Sequence, residues 1–551
     1  MLIKTLSSSP KTKKWLLTIF AWLIALSIGT YFRLYPLLHF KTPAIHNQSE
    51  QYVHNLIHQK IAQDIQKKHP NLSDKEKHAL HEKLFQSVLI QDAVQLKATI
   101  KKVAIDLDTP ASENRQFPYL LASDSFYYFH LTEQIHELGR FPYSIKGSKY
   151  HHTLMMAPHG HYEPFNLHPF VGYYLYQFLK IFNPDIPLMQ AVSFTPLLLS
   201  AIALLAFFWV GTLLQCRLSN IFISAVFFIL APIFVKRSTL GWYDNDPYNV
   251  IFPLLIIGCI FKSLPVDSNS RRRYLYTILS FVLMWFYTYF WQGWMMFFSV
   301  IFLSGITIIL YNHFILRKSK ATKSLSLIFL LFTVGSFIMV ALTFGPGEFL
   351  TLFNEGWKAL GDFLNPQLAL WPDLYISVGE LRPATWDYII EFTGGPILFF
   401  TAIISLICSI YQAAVNPEKR NPFQIIILGA FFFAALFITK GAQRFAMLCL
   451  IPESLFFMIG LEYIRIFINF IFKKIYKRPI ISHDYLLTIL LVGLTFFPIH
   501  HMTTTIKSLL NQIFNTAWEN TLLKIKDQTP PESVINAWWP PGHFIKAIAQ
   551  R

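Results

Sequence analysis

The sequence predicts an all-α, polytopic membrane protein, and three observations lead to this fold class. Hydrophobic residues make up 53% of the 551 positions, whereas charged residues make up only 14%. About eleven long apolar segments follow one another, and cations cluster in the short loops between them. A soluble fold cannot enclose this much apolar surface in one core, so the segments are expected to cross a bilayer. The net charge of +16 then signals membrane orientation, and no nucleic-acid partner is expected.

The first apolar run, residues 15–38, is predicted to be a retained anchor. Four lysines precede it and no small-residue cleavage site follows, so the N-terminus is expected in the cytoplasm. Ten further spans are predicted at residues 191–214, 221–235, 248–264, 274–290, 294–311, 325–344, 397–411, 423–439, 445–461 and 486–499.

Threading these spans from a cytoplasmic N-terminus places the strongly basic loops inside, as the positive-inside rule requires. By the same alternation Asp124, Asp244 and Glu380 fall outside. We therefore divide the chain into an anchor (1–40), an external segment (41–190), a polytopic domain with external catalytic loops (191–500) and an external tail (501–551).

The external segment contains a charged helical insertion at about residues 49–106. Ser73 and Glu76 have the spacing of a capping box, and apolar residues recur at helical intervals from Leu89 to Val103. The insertion is expected to be an amphipathic helical unit on the outer surface.

A DxD pair, Asp244 and Asp246, follows the third span, with Lys236 and Arg237 just before it. This is the one place where adjacent cations fall on the outer side. Carboxylate oxygens suit Mg²⁺ or Mn²⁺, and nearby cations can neutralise a diphosphate leaving group. The alternative is an ordinary solvated turn in which Asp244 caps the next helix.

Two more acids stand in external segments. Asp124 precedes a run of four aromatic residues at the expected membrane boundary. Glu380 lies in a connection of about fifty residues, 345–395. Its length and its tryptophan content indicate an ordered binding loop. His159 and His161, in APHGHYEP, are further candidates for metal or sugar contacts.

Taken together, these motifs resemble the oligosaccharyltransferase catalytic subunit, a GT-C type protein N-glycosyltransferase. The resemblance rests on DSFYYFHL, GWYDNDPY, SVGE, GAQRF and AWWPPG, and it runs from the first span almost to the last residue. It implies a bundle of about 11–13 membrane helices. It also implies transfer of an oligosaccharide from a polyprenyl-diphosphate carrier to asparagine of an acceptor polypeptide at the outer face, which is the cytoplasmic membrane's external side in a bacterium.

The resemblance also assigns roles to individual residues. It implies a divalent metal, Mg²⁺ or Mn²⁺, held by Asp124, Asp244 and Glu380 with Asp246 close by, and it makes Asp124 and Glu380 the catalytic pair that activates the acceptor amide. Arg444, at the outer end of a span, would bind the lipid diphosphate together with Arg237.

The carboxyl-terminal motif departs from the family. Trp538 and Trp539 remain as acceptor-binding candidates, but Pro540 replaces the aspartate that reads the acceptor's Ser or Thr. The chain also stops at Arg551, where the family continues into a soluble domain. Three readings stay open: impaired oligosaccharide transfer, a transferase of the same fold with another acceptor, and an inactive membrane remnant. A transporter is disfavoured because the ionisable residues gather at the outer rim.

Overall fold

The computed structural model describes residues 10–39, 43–70, 73–107, 117–265, 270–347, 349–350, 354, 378–417, 420–476, 482–510, 513–537 and 539–551. Most of the predicted loop 345–395 therefore lies outside the described residues, as does Trp538. Within the described part the chain is almost entirely helical, with one small sheet.

The amino-terminal third contains the first apolar helix and the helical insertion. The anchor α1 is Pro10–Arg33, and the helices that follow are α2 (Tyr35–His39), α3 (Pro43–Lys68), α4 (Asp74–Gln91), α5 (Ala93–Leu107) and α6 (Ser123–Leu138). Helices α3 to α5 confirm the helical insertion and extend it slightly at its amino-terminal end. The capping box is confirmed, because the Ser73 side chain accepts from the Glu76 N–H while Glu76 accepts from the Ser73 N–H.

A three-stranded antiparallel sheet follows α6. Its strands are β1 (Ile145–Lys146), β2 (Lys149–His152) and β3 (His161–Pro164), in the order β1-β2-β3. Tyr150 pairs with Glu163, and His152 with His161. The sheet therefore brings the histidine-rich segment back beside α6.

The helices of the membrane domain occupy most of the remaining chain. They are α7 (His168–Lys180), α8 (Leu188–Val192), α9 (Thr195–Leu213), α10 (Leu218–Leu230), α11 (Pro232–Lys236), α12 (Tyr248–Ser263), α13 (Ser270–Thr288), α14 (Trp294–Leu310), α15 (Ser319–Phe344), α16 (Trp386–Thr393), α17 (Pro396–Val415), α18 (Pro422–Gly441), α19 (Ala446–Tyr476), α20 (Ser482–Gly493) and α21 (Phe496–Leu509). A π turn, Tyr311–Ile315, prolongs α14.

Each predicted span is helical, in one helix or in two consecutive ones. Among the described residues eight helical stretches are long and apolar enough to cross a membrane, and α10 and α12 are shorter apolar helices. The predicted span 221–235 is broken at Pro232, where α10 ends and α11 begins, because proline cannot donate the helical hydrogen bond. The chain is therefore an all-α polytopic membrane protein, as predicted.

The tail folds back onto α6. It forms α22 (Thr516–Gln528), α23 (Trp539–Phe544) and a π turn, Ile545–Ala549. Phe126 of α6 packs against Phe514 and Phe544 with ring centroids 4.6 and 4.9 Å apart. Burying a phenylalanine contributes about 1.5–3 kcal/mol, so this aromatic cluster holds the tail against α6.

Candidate functional site

The loop that carries the DxD pair is clamped between α1 and α6. Arg33, the last residue of α1, is fully buried and donates to Ser238 Oγ at 2.9 Å and to the Ile229 carbonyl at 2.8 Å. Farther along the loop, the Tyr243 hydroxyl lies 2.8 Å from Thr132 Oγ1 of α6. A side chain at Gly172 would overlap that hydroxyl, since an added Cβ would lie 1.9 Å from it. The loop between Ser238 and Tyr243 is thus fixed at both ends.

Asp244 and Asp246 are both buried, with 8% and 4% of their surfaces exposed. Asp244 Oδ1 accepts from the Asn245 N–H at 2.6 Å, while the Asn245 side chain donates to the Phe290 carbonyl at 2.7 Å. Asp244 does not cap the following helix, whose cap position is occupied by Pro247. The alternative of a solvated capping turn is therefore wrong.

Arg237 joins two of the predicted acids. Its guanidinium donates to Asp246 through Nη1, and its Nη2 lies 2.8 Å from Glu380 Oε2. The Arg237 and Asp246 side chains are 5% and 6% exposed, whereas that of Glu380 is 40% exposed. The side chain expected to meet a lipid diphosphate is thus already engaged by two carboxylates from loops far apart in sequence.

The charge of Arg237 determines the state of Glu380. Burial alone would raise the pKa of Glu380, but Arg237, followed by Arg444 and Lys236, brings it below its usual range. Glu380 is therefore ionised throughout the neutral range.

The opposite effect acts on Asp124 and Asp244. Asp124 stands in the first turn of α6, 3.2 Å from Ser123 Oγ. Burial, and then the charge of Glu380, raises the pKa of Asp124. Burial, and then the charges of Asp246 and Asp124, raises the pKa of Asp244 well above its usual range. The four acids therefore share one electrostatic neighbourhood, although they come from three separate segments.

Arg444 completes this neighbourhood. It lies in the short 3₁₀ turn Gln443–Phe445 between α18 and α19. The Gln443 N–H donates to the Arg382 carbonyl at 3.0 Å, and Lys440 Nζ donates to the Ala384 carbonyl at 2.7 Å. These bonds hold the turn beside the segment of Glu380, and the charge of Arg444 lowers the pKa of both Asp124 and Glu380.

The donor set suits a hard divalent cation in its chemistry, although its side chains do not close around one. Hard cations prefer carboxylate oxygens, and a cation would relieve the repulsion that raises the pKa of Asp124 and Asp244. Within the part of the chain that the structure describes, however, no three His, Cys, Asp or Glu residues are arranged to hold a metal. Asp246 and Glu380 are bridged by Arg237 instead.

The tail brings residues to this site that the sequence analysis missed. His543 Nε2 of α23 lies 3.7 Å from Asp124 Oδ1. Burial, and then the charge of Lys546, lowers the pKa of His543 to about 3, so a neutral ring faces the carboxylate. Lys546 lies over the Tyr127 ring, 5.5 Å from its centroid. The sequence signal for these two residues is their spacing, because His543 and Lys546 lie three positions apart after the tryptophans.

The remaining predicted residues are placed as follows. Trp538 lies outside the described residues, and for Trp539 only the backbone, at the start of α23, is described. His161 Nε2 lies 3.8 Å from Glu163 Oε1 on β3. The His159 carbonyl lies 3.0 Å from His151 Nε2, so the backbone rather than the ring of His159 is engaged there.

Comparisons with known proteins agree with the resemblance. The family described as oligosaccharyl transferase STT3, N-terminal, matches residues 111–398. The chain is 24% identical over 538 residues to a dolichyl-phosphooligosaccharide-protein glycotransferase of Methanococcus voltae, with 80% of this chain and 58% of that protein covered. The chain thus spans less than two thirds of that relative's length.

Two solved structures of the Archaeoglobus fulgidus oligosaccharyltransferase share the fold. The one in complex with an inhibitory peptide and a dolichol-phosphate has a TM-score of 0.56 and 15% identity, covering 79% of this chain and 60% of that one. The complex with Zn and sulfate has a TM-score of 0.56 and 17% identity, covering 79% and 58%.

Proposed function

The chain belongs to the oligosaccharyl transferase STT3 family, and we propose that it transfers an oligosaccharide from a polyprenyl-diphosphate carrier to asparagine of a polypeptide. One observation carries this proposal: Asp124, Asp244, Asp246 and Glu380 converge with Arg237 and Arg444 beside a helical membrane bundle. Two relatives support the same substrates: the dolichyl-phosphooligosaccharide-protein glycotransferase of Methanococcus voltae, and the Archaeoglobus fulgidus oligosaccharyltransferase, whose structure is solved in complex with an inhibitory peptide and a dolichol-phosphate.

The acids are proposed to act on the acceptor amide. An amide nitrogen is a weak nucleophile because its lone pair is delocalised into the carbonyl. Asp124 and Glu380 would hold the amide N–H groups and orient the nitrogen towards the sugar carbon. Ionised Glu380 is suited to accept such a hydrogen bond, and Arg237 keeps it ionised and fixed.

Cations are proposed to act on the leaving group. Arg444 is available in its turn to neutralise the departing diphosphate, while Arg237 adds positive charge from its buried position. Mg²⁺ or Mn²⁺, when bound, would be held by Asp124, Asp244 and Glu380 with Asp246 nearby, and would supply Lewis-acid stabilisation of negative charge. The complex of the Archaeoglobus fulgidus oligosaccharyltransferase with Zn supports metal binding by a protein of this fold.

The reaction is proposed to take place at the outer face of the membrane, the external side of the cytoplasmic membrane if the source is bacterial. The proposal rests on the basic loops that alternate with the acidic motifs along the chain. A reporter fused after Arg420 should be cytoplasmic, and one fused within residues 361–380 should be external. Both reporters on the same side would overturn the topology.

The test of function is glycan transfer by the purified chain to a fluorescent Asn-x-Thr peptide from a polyprenyl-diphosphate-linked glycan. Asp124→Asn and Glu380→Gln should each lower turnover by about a hundredfold or more, because each removes a group that contacts the reacting amide. Glu391→Gln, at an exposed glutamate 56% accessible in α16, is the matched control and should retain activity. Treatment with EDTA should abolish transfer, and added Mn²⁺ should restore it. Full activity in EDTA would reject the metal.

A second candidate is transfer to a different acceptor, and Pro540 is the observation that favours it. A proline side chain cannot accept a hydrogen bond from the hydroxyl of an Asn-x-Ser/Thr acceptor. A site without such an acceptor distinguishes substrates with and without the hydroxyl far less than a site that has one. We expect weak use of Asn-x-Thr peptides and little rescue by Pro540→Asp alone. Efficient transfer with strict dependence on Ser or Thr would contradict the second candidate.

A further inference from the structure

The DxD pair lies in a short loop between two buried tyrosines. Tyr243 comes directly before Asp244, and Tyr248 begins α12 two residues after Asp246. Both tyrosines are buried, and four residues separate them. A loop this short has few conformations when both of its ends are fixed. The contacts that hold the two tyrosines therefore also set the positions of the two carboxylates.

His168, the first residue of α7, contacts both tyrosines. Its ring centroid lies 4.3 Å from that of Tyr243 and 5.6 Å from that of Tyr248. His168 Nδ1 lies 3.2 Å from the Tyr248 hydroxyl, and the Tyr243 hydroxyl donates to the His168 carbonyl at 3.3 Å. One residue thus bonds to both ends of the loop, once through its side chain and once through its backbone.

The segment before His168 holds the centre of the same loop. The Asn166 side chain accepts from the His168 N–H at 2.8 Å, which fixes the start of α7. The same side chain donates to the Phe290 carbonyl at 3.2 Å, and the Asn245 side chain donates to that carbonyl at 2.7 Å. The start of α7 and the residue between the two aspartates are therefore fastened to one acceptor just after α13.

His168 is a costly choice for a residue that serves packing alone. It is fully buried, and its Nε2 has no hydrogen-bond partner among the described residues. An unpaired buried polar atom destabilises a fold, and a phenylalanine ring would fill a similar space without one. What histidine adds is the hydrogen bond between Nδ1 and the Tyr248 hydroxyl, and this bond acts on the loop.

We infer that His168 is a positioning residue, which keeps Asp244 and Asp246 in their functional arrangement by holding Tyr243 and Tyr248. It acts through the two tyrosines and not on the reacting groups. The inference rests on the proposed function only for what the aspartates then do, which is to hold a divalent cation. The placement of the loop is a property of the protein alone, and it can be measured without a cation or a substrate.

The first test replaces His168 by phenylalanine and measures the loop directly. His168→Phe keeps a ring between the tyrosines and removes the hydrogen bond. Hydrogen–deuterium exchange in EDTA should become about fivefold faster or more at residues 244–249, as expected for one lost hydrogen bond, while peptides from α9 and α14 exchange as in wild type. His136→Phe is the matched control, because this exposed histidine also lies edge-on to a tyrosine, Tyr176, at 5.0 Å. It should leave the exchange of the loop unchanged.

A second measurement separates positioning from stability. In His168→Phe the Tyr248 hydroxyl loses its bond to the histidine, but the unpaired Nε2 is also gone, so Tm should change little. His168→Phe/Tyr248→Phe removes both polar groups and should leave Tm unchanged or higher, while the loop still exchanges as fast as in the single variant. A purely structural role predicts instead that slower exchange accompanies the higher Tm.

The placement of the loop should also govern cation binding. Mn²⁺ binding, followed by the electron paramagnetic resonance signal of the free ion, should give a Kd about tenfold higher or more in His168→Phe, the usual cost of losing a residue that orients metal ligands. In the transfer assay, the Mn²⁺ concentration that gives half the maximal rate should rise by the same factor.

Unchanged exchange at residues 244–249 in folded His168→Phe would overturn the inference, and so would faster exchange throughout the protein. If His168→Phe does not fold, Tyr248→Phe removes the same hydrogen bond by losing only a hydroxyl, and it should show the same local increase. If wild type binds no Mn²⁺ or transfers no glycan, the proposed function fails in that part. The exchange measurement still decides the role of His168, because it needs neither.

Discussion

The candidate site has two walls that treat charge in opposite ways. The inner wall consists of Arg237, Asp246 and Glu380, whose opposite charges are in direct contact. The outer wall consists of Asp124, Glu163, His543 and Lys546. Its carboxylates have only longer contacts with histidines, His543 at 3.7 Å from Asp124 and His161 at 3.8 Å from Glu163, and Lys546 makes no ion pair among the described residues. Charges that are paired within the protein maintain the shape of a site, whereas unpaired charges are available to a ligand. We propose from this difference that the inner wall positions Glu380 and that the outer wall contacts the substrate.

Replacing Arg237 should have the largest effect on stability and activity, because Arg237 is the cation that contacts both carboxylates of the inner wall. Arg237→Gln leaves Asp246 buried without a partner, and breaking a buried pair costs about 3–5 kcal/mol. Thermal unfolding in detergent should show a large decrease in Tm together with loss of transfer. Arg140→Gln, at an exposed arginine, is the control. Arg237→Gln/Asp246→Asn should recover part of the stability, and an unchanged Tm in the single variant would contradict the structural role.

Asp244→Asn should separate activity from stability. Transfer should fall about 10²–10³-fold, since a group beside the reacting centre is lost. The pKa of Asp244 is well above its usual range because of burial and the charges of Asp246 and Asp124, so neutralising it should leave Tm unchanged or higher when no divalent cation is added. Turnover and Tm measured on one preparation check both results. A fall in Tm equal to that of Arg237→Gln would show that Asp244 belongs to the inner wall.

Glu133 of α6 allows a test of how the tail packs against that helix, because Lys526 and Gln550 of the tail act on its carboxyl group. Burial, and then the charge of Glu137, raises the pKa of Glu133 to about 7. Its folded-state pKa exceeds the unfolded value, so its contribution to stability is full below about pH 4.5 and is lost as the pH rises through about 7. Glu133→Gln should therefore stabilise the protein by about 1–3 kcal/mol at pH 8 and have little effect at pH 5. Tm at the two pH values is the measurement, and exposed Glu532→Gln should show no such difference.

Arg551→Ala should have the smallest effect and a local one. The guanidinium satisfies carbonyls at the end of α22, and losing such bonds costs about 1 kcal/mol each at most sites. Limited proteolysis should cleave the tail after Gln528 faster than in wild type while the membrane domain stays intact. Arg551→Lys, which keeps the charge but loses the planar fork, should lie between the two. Equal cleavage rates would show that the phenylalanine cluster alone holds the tail.

Much of the fold was predictable because a bilayer imposes a simple rule on sequence. Runs of apolar residues had to be helices, and each predicted span is helical in the structure. The break at Pro232 was harder to place, because apolar residues continue on both sides of it. The capping box at Ser73 and Glu76 was predictable because it depends on residues three positions apart.

The candidate site was predictable only in part. Asp124, Asp244, Asp246, Glu380 and Arg444 were identified from short motifs, and the structure brings them into one neighbourhood. The expected diphosphate contact of Arg237 stays a prediction, with the added fact that two carboxylates hold its guanidinium. Glu163 lies in the segment APHGHYEP, where only the two histidines were candidates, and nearly four hundred positions separate it from Lys546.

The sequence by itself therefore determined the class of fold, the order of the helices and the candidate acids, because these follow from hydropathy and from residue chemistry over short distances. Only the tertiary structure decided which charges are paired. Pairing depends on where the tail and the external loops fold back, and contacts between segments hundreds of residues apart leave no periodic pattern in a single sequence. The energy of a charge depends on its distance to the next charge and on its burial. Both quantities exist only in the folded chain.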